Sequence, residues 1–158
     1  MRSLQTTVAK CIFLGLLTGA FFFLKLDAVI VWWPLLQFVA GLSLGAGLLF
    51  FDKIILAPRY QDSEHSFVFT RSFLFLVAFA CVSMWIITSS GSIIGNGLAL
   101  GIASSLLAEM THLRRDVAAF HTTFLAQVKK QYSQQDISRL VIVSWIYFLV
   151  LVGLVFRF

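Results

Sequence analysis

The stretch "GLSLGAGLLFFDK", residues 41–53, decides the fold because an uncharged, glycine-spaced run ends in an adjacent acid and base. Gly41 and Gly45 form a GxxxG motif, a spacing typical of membrane helices whose backbones approach closely. Asp52 and Lys53 follow directly after Phe51, where a membrane helix would reach water. The stretch therefore predicts a membrane-spanning helix that packs tightly against a neighbour and ends at a polar border.

The composition of the whole chain agrees with a membrane location. Of its 158 residues, 59% are hydrophobic and 12% are charged, and the mean hydropathy is +0.93. A soluble domain carries far more polar surface, so the sequence predicts an integral membrane protein. The net charge of +5 does not indicate a nucleic-acid partner, because the basic residues lie at the ends of apolar segments.

The apolar segments predict an all-α integral membrane protein of one domain, residues 1–158, with five transmembrane helices. An alternative has four spans, with the first or fourth segment re-entrant or interfacial. The five predicted spans cover about residues 8–24, 28–51, 72–88, 93–110 and 140–156.

The basic residues orient these spans. With the N-terminus inside, only Lys25 and Arg157 fall on the outer side, and the other ten basic residues fall in cytoplasmic segments. This asymmetry is the positive-inside pattern of a bacterial-type cytoplasmic (inner) membrane. It predicts a cytoplasmic N-terminus and a C-terminus outside.

The polar segment 111–138 is expected to be a cytoplasmic amphipathic helix at the membrane surface. Its apolar residues recur at spacings of three and four, and basic residues flank them at both ends. The predicted partners are the lipid bilayer and anionic inner-leaflet lipids; a membrane-protein partner or a second copy of the chain is the alternative. The apolar residues are Val117, Phe120, Phe124, Leu125 and Val128, and the basic ones are Arg114, Arg115, Lys129 and Lys130.

The fourth segment repeats the glycine pattern of the second, with Gly97 and Gly101 in another GxxxG motif. Both segments run towards the cytoplasm, so Asp52 and Glu109 are expected at similar depth. These two acids are the only catalytic candidates. The sequence predicts an ion-pair cluster in which cations neutralise them, formed by Asp52, Lys53, Arg71 and Glu109.

Metal ligation receives little support from the residue pattern. Glu109 and His112 have the Glu-x-x-His spacing of dimetal bundles, but those use two copies and further glutamates. His121 lies nine residues beyond His112, on the opposite face of a continuous helix. Asp52, Glu109 and His112 are the candidate ligands of a divalent metal, and no cofactor is predicted. The chain has no CxxC motif or glycine-rich phosphate loop.

Three segments between about residues 40 and 112 resemble the membrane-bound metal-dependent hydrolases, the LexA-binding, inner-membrane-associated family. The family pattern is Asp-x-Asp-His, then His-Arg-Gly-x-Thr-His-Ser, then His-x-x-x-Asp. The corresponding stretches here are "GAGLLFFDK" at 45–53, "SFVFTRS" at 66–72 and "SSLLAE" at 104–109.

The resemblance retains acids and loses histidines. Asp52 matches the second acid of the first motif, and Glu109 replaces the final Asp. The other ligand positions hold Phe50, Lys53, Ser66, Arg71 and Ser105. The resemblance therefore implies the family's fold without its metal.

The function expected from these observations is that of a non-catalytic membrane protein related to this family, structural or partner-binding. One alternative is an active membrane hydrolase with a rearranged metal site. Another is a small transporter or channel component, indicated by the paired acids and by the likeness of "GLSLGAG" at 41–47 to "GLALGIA" at 97–103.

Overall fold

The computed structural model describes residues 2–25, 32–52, 54, 69–126, 128 and 132–157. Every regular element in these residues is helical, so the predicted all-α class is confirmed for the described part of the chain. A 3-10 turn at Phe69–Arg71 precedes the third helix. The helices are α1 Arg2–Leu24, α2 Trp32–Phe51, α3 Phe73–Ser89, α4 Ile93–Leu113, α5 Val117–Phe124 and α6 Gln134–Arg157.

Three of the described helices, α2, α4 and α6, are long and apolar enough to cross a membrane. Two shorter apolar helices accompany them: α3, and the part of α1 from Lys10 to Leu24. The predicted segment 28–51 corresponds to α2, although residues 28–31 lie outside the described part. The described helices extend further than expected at two ends, because α1 begins at Arg2 and α6 begins at Gln134.

Helix α4 is the centre of the bundle. Every residue from Ala99 to Met110 is buried, and α4 contacts α1, α2, α3, α5 and α6. The surrounding helices expose large apolar side chains on their outer faces, such as Trp85, Leu74 and Leu149. Apolar side chains on the outside of a bundle suit a hydrocarbon solvent and would be a liability in water.

Helices α2 and α4 cross at their glycines. A β-carbon added to Gly41 would lie 2.3 Å from the carbonyl oxygen of Ile94, and one on Gly97 would lie 2.4 Å from that of Phe38. One turn further along, Gly45 and Gly101 are equally tight against backbone. Only glycine permits this approach, since any side chain would meet a carbonyl that cannot rotate away.

The connection between α3 and α4 is a short serine-rich turn. Ser92 lies in this turn and caps the N-terminus of α4, and Ser72 caps that of α3. Each serine accepts a 3.1 Å hydrogen bond from the backbone N–H three residues later. Gly91 adopts a positive φ of 57°, which glycine tolerates without strain. This short turn places α3 and α4 side by side in opposite directions.

The described residues of 111–138 do not form the single continuous amphipathic helix that the sequence predicts. Helix α4 ends at Leu113, α5 covers only Val117–Phe124, and α6 begins at Gln134. The side chain of Asp116 accepts from the Ala119 N–H and starts α5 as a separate helix. Phe120, Phe124 and Leu125 are buried within the bundle, so these apolar residues pack on the protein itself.

Candidate functional site

The carboxylate of Glu109 is held by two cations from distant parts of the chain. Arg71 donates from Nε to Oε2 at 2.6 Å and from Nη2 to Oε1 at 2.8 Å, a bidentate pair. Lys10 donates from Nζ to Oε1 at 2.7 Å. Arg71 and Glu109 are buried, at 3% and 7% exposure. The three charges therefore tie α1, the 3-10 turn and α4 together.

The second acid, Asp52, lies just beyond the end of α2 and is 2% exposed. Its Oδ2 accepts from the backbone N–H of Thr70 at 2.8 Å and also from the Thr70 hydroxyl. These bonds satisfy a carboxylate that would be costly to bury alone. Asp52 thereby holds the 3-10 turn in place, and the next residue of that turn is Arg71.

The glycine crossing explains why the two acids lie at one end of the bundle. Gly41 lies opposite Gly97, and Gly45 lies opposite Gly101, so α2 and α4 run in the same direction in a constant register. Extending that register by seven residues places Asp52 level with the residue before Glu109. The 3-10 turn sits between the two acids in the hydrogen-bond network.

The structure brings together only part of the predicted cluster. Arg71 pairs with Glu109, whereas the hydrogen bonds described for Asp52 come from Thr70 and not from a cation. Lys53 lies outside the described residues, as do Ser66, Lys129 and Lys130. Arg114 and Arg115 are exposed at the end of α4. His112 is half-buried, and the break before α5 removes the continuous helix assumed for His121.

Lys10 is the member of this site that sequence reasoning missed as a partner of the acid. The sequence pattern places it only among the positive-inside residues, although it stands close to the start of the predicted first span. A lysine at that border can reach a carboxylate on a neighbouring helix. The useful signal is its depth, since Lys10 on α1 and Glu109 on α4 both lie at the cytoplasmic ends of their predicted spans.

The residues present do not fit a divalent metal such as the one that gives the resembled hydrolase family its description. Both oxygens of Glu109 already accept from Arg71, and Lys10 adds a second cation to Oε1. A metal ion would have to displace one of these cations and would be repelled by the other. Among the described residues, no three His, Cys, Asp or Glu side chains are grouped as metal ligands. The groups around Glu109 therefore do not support a step that passes through a metal.

Two further polar links join the helices around this site. The indole N–H of Trp145 on α6 donates to the Thr111 hydroxyl at 3.2 Å, and Thr111 lies two residues beyond Glu109 on α4. Deeper in the bundle, the Tyr147 hydroxyl donates to the carbonyl of Ala80 at 2.7 Å and contacts Ser83 Oγ at 2.7 Å. In a membrane, where no water is available, such bonds between helices compensate buried polar groups.

No protein-family model, curated protein or solved structure matches this chain.

Proposed function

We propose that the chain is a non-catalytic integral membrane protein, related to the membrane-bound metal-dependent hydrolases, in which the acids of the former metal site are structural. The observation that supports this proposal is the bidentate, buried pair of Arg71 with Glu109, reinforced by Lys10. A carboxylate engaged by two cations is neither a metal ligand nor a free general base. Its effect is to fix the relative positions of three helical segments.

The role that follows is structural or partner-binding. Asp52 and Glu109 stabilise the cytoplasmic end of the bundle, and the outer faces of the helices then contact lipid or another membrane protein. The proposal also includes the five-span layout in a bacterial-type inner membrane, with the N-terminus cytoplasmic and the C-terminus outside. It is supported by the three long apolar helices and by the distribution of basic residues in the sequence.

The decisive experiment measures metal bound per chain. Purified protein is incubated with zinc or manganese, dialysed and analysed by mass spectrometry, next to Asp52→Ala and the control Asp116→Asn. We expect well below one ion per chain in all three proteins. One tightly held ion per chain that is lost in Asp52→Ala and kept in Asp116→Asn would overturn the non-catalytic assignment.

The membrane layout is tested separately by reporter fusions. A reporter active only in the cytoplasm should be active at the N-terminus and inactive at the C-terminus, and a periplasmic reporter should give the opposite pattern. Both termini on the same side would replace the five-span layout with an even number of spans.

A further inference from the structure

A cavity of about 330 Å³ lies between α3, α4, α5 and α6 in the described part of the chain. Each helix contributes large apolar side chains to its wall, including Phe79, Leu107, Phe120 and Phe148. This volume falls within the range of small-molecule sites, which is roughly 300–1,000 Å³. The cavity is separate from the Glu109 ion pair, since neither Glu109 nor its two cations line it.

The cavity opens sideways, towards the surroundings of the bundle. Phe73 and Val77 on α3 and Val143 on α6 line it, and their exposed fractions are 46%, 48% and 64%. Lining residues with this much exposure must lie at the mouth. In a membrane, a mouth between the outer faces of α3 and α6 opens into the hydrocarbon.

The interior of the cavity suits hydrocarbon rather than water. Of the described lining residues, Ser144 and Tyr147 carry hydroxyl groups, and both donate to backbone carbonyls within the bundle at 2.9 and 2.7 Å. A buried water needs two to four polar partners, and an apolar cavity stays dry. With a methylene group taken as similar in volume to a water molecule, roughly 30 Å³, the cavity holds about ten methylenes.

The depth of the cavity matches one leaflet of a bilayer. On α6 its lining extends from Leu140 to Phe148, which corresponds to about 12 Å along the helix. The hydrocarbon core of a bilayer is about 30 Å thick, so each leaflet contributes about 15 Å. The lining on α3 comes from its first half and that on α4 from its second half, which places the cavity at the same end of the bundle as Glu109.

A second, more polar cavity of about 190 Å³ adjoins the first, and Leu125 and Leu140 belong to the walls of both. Arg139, which is exposed, also lines this second cavity. Asp136 lines it too, but its Oδ2 accepts from the backbone and hydroxyl of Ser133 as part of the α6 cap. The polar cavity thus has a basic residue, Arg139, in its wall and adjoins the apolar cavity.

We propose that the two cavities form a single site for one anionic glycerophospholipid of the cytoplasmic leaflet. One acyl chain occupies the larger cavity, and the headgroup phosphate contacts the Arg139 guanidinium in the smaller one. Leu125 and Leu140 mark the border between chain and headgroup. Charge complementarity supports an anionic headgroup, since Arg139 lines the smaller cavity while the Asp136 carboxylate is engaged in the α6 cap. The inference rests on the membrane placement proposed above, but not on the absence of a metal.

The headgroup contact is tested by titrating delipidated protein in detergent with dioleoyl phosphatidylglycerol or dioleoyl phosphatidylcholine and counting bound lipids by native mass spectrometry. We expect one tightly bound phosphatidylglycerol per chain and weaker binding of phosphatidylcholine. The variant Arg139→Gln removes one surface arginine charge and should bind phosphatidylglycerol about fivefold more weakly. The control Arg115→Gln removes the same charge from the same end of the bundle, outside both cavities, and should change binding less than twofold.

The chain contact is tested by filling the larger cavity. Ala80→Phe introduces a ring into the lining, whereas the control Ala78→Phe places the same ring on the exposed face of α3. We expect Ala80→Phe to lose the tight lipid and Ala78→Phe to keep it, with equal unfolding transitions checked first. If Ala80→Phe does not fold, the comparison of Arg139→Gln with Arg115→Gln still tests the lipid site, because both arginines are exposed.

Three results would overturn the lipid site. They are equal phosphatidylglycerol affinities of Arg139→Gln and Arg115→Gln, equal affinities of Ala80→Phe and Ala78→Phe, and equal affinities of the wild-type chain for the two lipids. If the chain binds a metal ion tightly and still shows the three expected differences in lipid affinity, the proposed function is overturned and the lipid site stands.

Discussion

Replacing Gly45 with alanine should force α2 and α4 apart. The new β-carbon would lie 2.4 Å from the carbonyl oxygen of Leu98 and 2.9 Å from the backbone nitrogen of Ile102. Both neighbours are backbone atoms of α4, so no side-chain rotation relieves the overlap. The helices must move by about 1 Å to restore ordinary contact, and the interdigitated residues on both sides then lose part of their packing.

The size of the effect follows from two opposing contributions. Alanine is more favourable than glycine inside a helix by about 1 kcal/mol. Overpacking costs about 1–3 kcal/mol, and a backbone clash belongs at the upper end. The expected net loss in the free energy of unfolding for Gly45→Ala is therefore about 2 kcal/mol.

Gly47 provides the matched control, because it lies on the same helix and a β-carbon added there meets nothing within 4 Å. Gly47→Ala should gain up to about 1 kcal/mol, which makes the expected difference between the two variants about 3 kcal/mol. The measurement is unfolding in mixed detergent micelles with increasing dodecyl sulfate, followed by tryptophan fluorescence. Equal midpoints for Gly45→Ala and Gly47→Ala would refute the close backbone crossing.

The polar links lead to three further predictions, each read out in the same unfolding assay. Glu109→Gln should lower the free energy of unfolding by about 3–5 kcal/mol, because it leaves the buried Arg71 guanidinium without its carboxylate. The double variant Glu109→Leu with Arg71→Met should recover most of that loss. A double variant as unstable as the single one would contradict a structural pair. Thr70→Val removes the hydroxyl that donates to the buried carboxylate of Asp52 and should cost about 1.5–3 kcal/mol, whereas Thr70→Ser should retain most of the stability. Tyr147→Phe and Ser83→Ala should each cost about 1 kcal/mol, and additive losses in the double variant would show that the two hydroxyls do not act together.

Local patterns in the sequence were sufficient for the helical class. Hydropathy is a property of short windows, and the apolar windows correspond to α2, α4 and α6, which are long and apolar enough to cross a membrane. The GxxxG spacing is also local, because residues four apart share a helix face. It indicated faces of α2 and α4 that are suited to close packing, and the four glycines of these faces lie where the two helices cross.

The segment 111–138 shows where local pattern was insufficient. A helical period places apolar residues on one side, but it does not say whether lipid or protein covers that side. The cap at Asp116 separates α5 from α4, and the rings of Phe120 and Phe124 then turn into the bundle. The deciding factor is the space between α3, α4 and α6, which no window of sequence contains.

The sequence by itself determined that this chain builds helices suited to a membrane, and that two acids stand at the ends of two of them. Only the tertiary structure decided which groups satisfy those acids. Lys10 and Arg71 reach Glu109, while Thr70 holds Asp52, because helix rotation and depth set which donors come within hydrogen-bond distance. Pairing between residues as far apart as Lys10 and Glu109 depends on how the helices pack, and packing is a property of the assembled bundle.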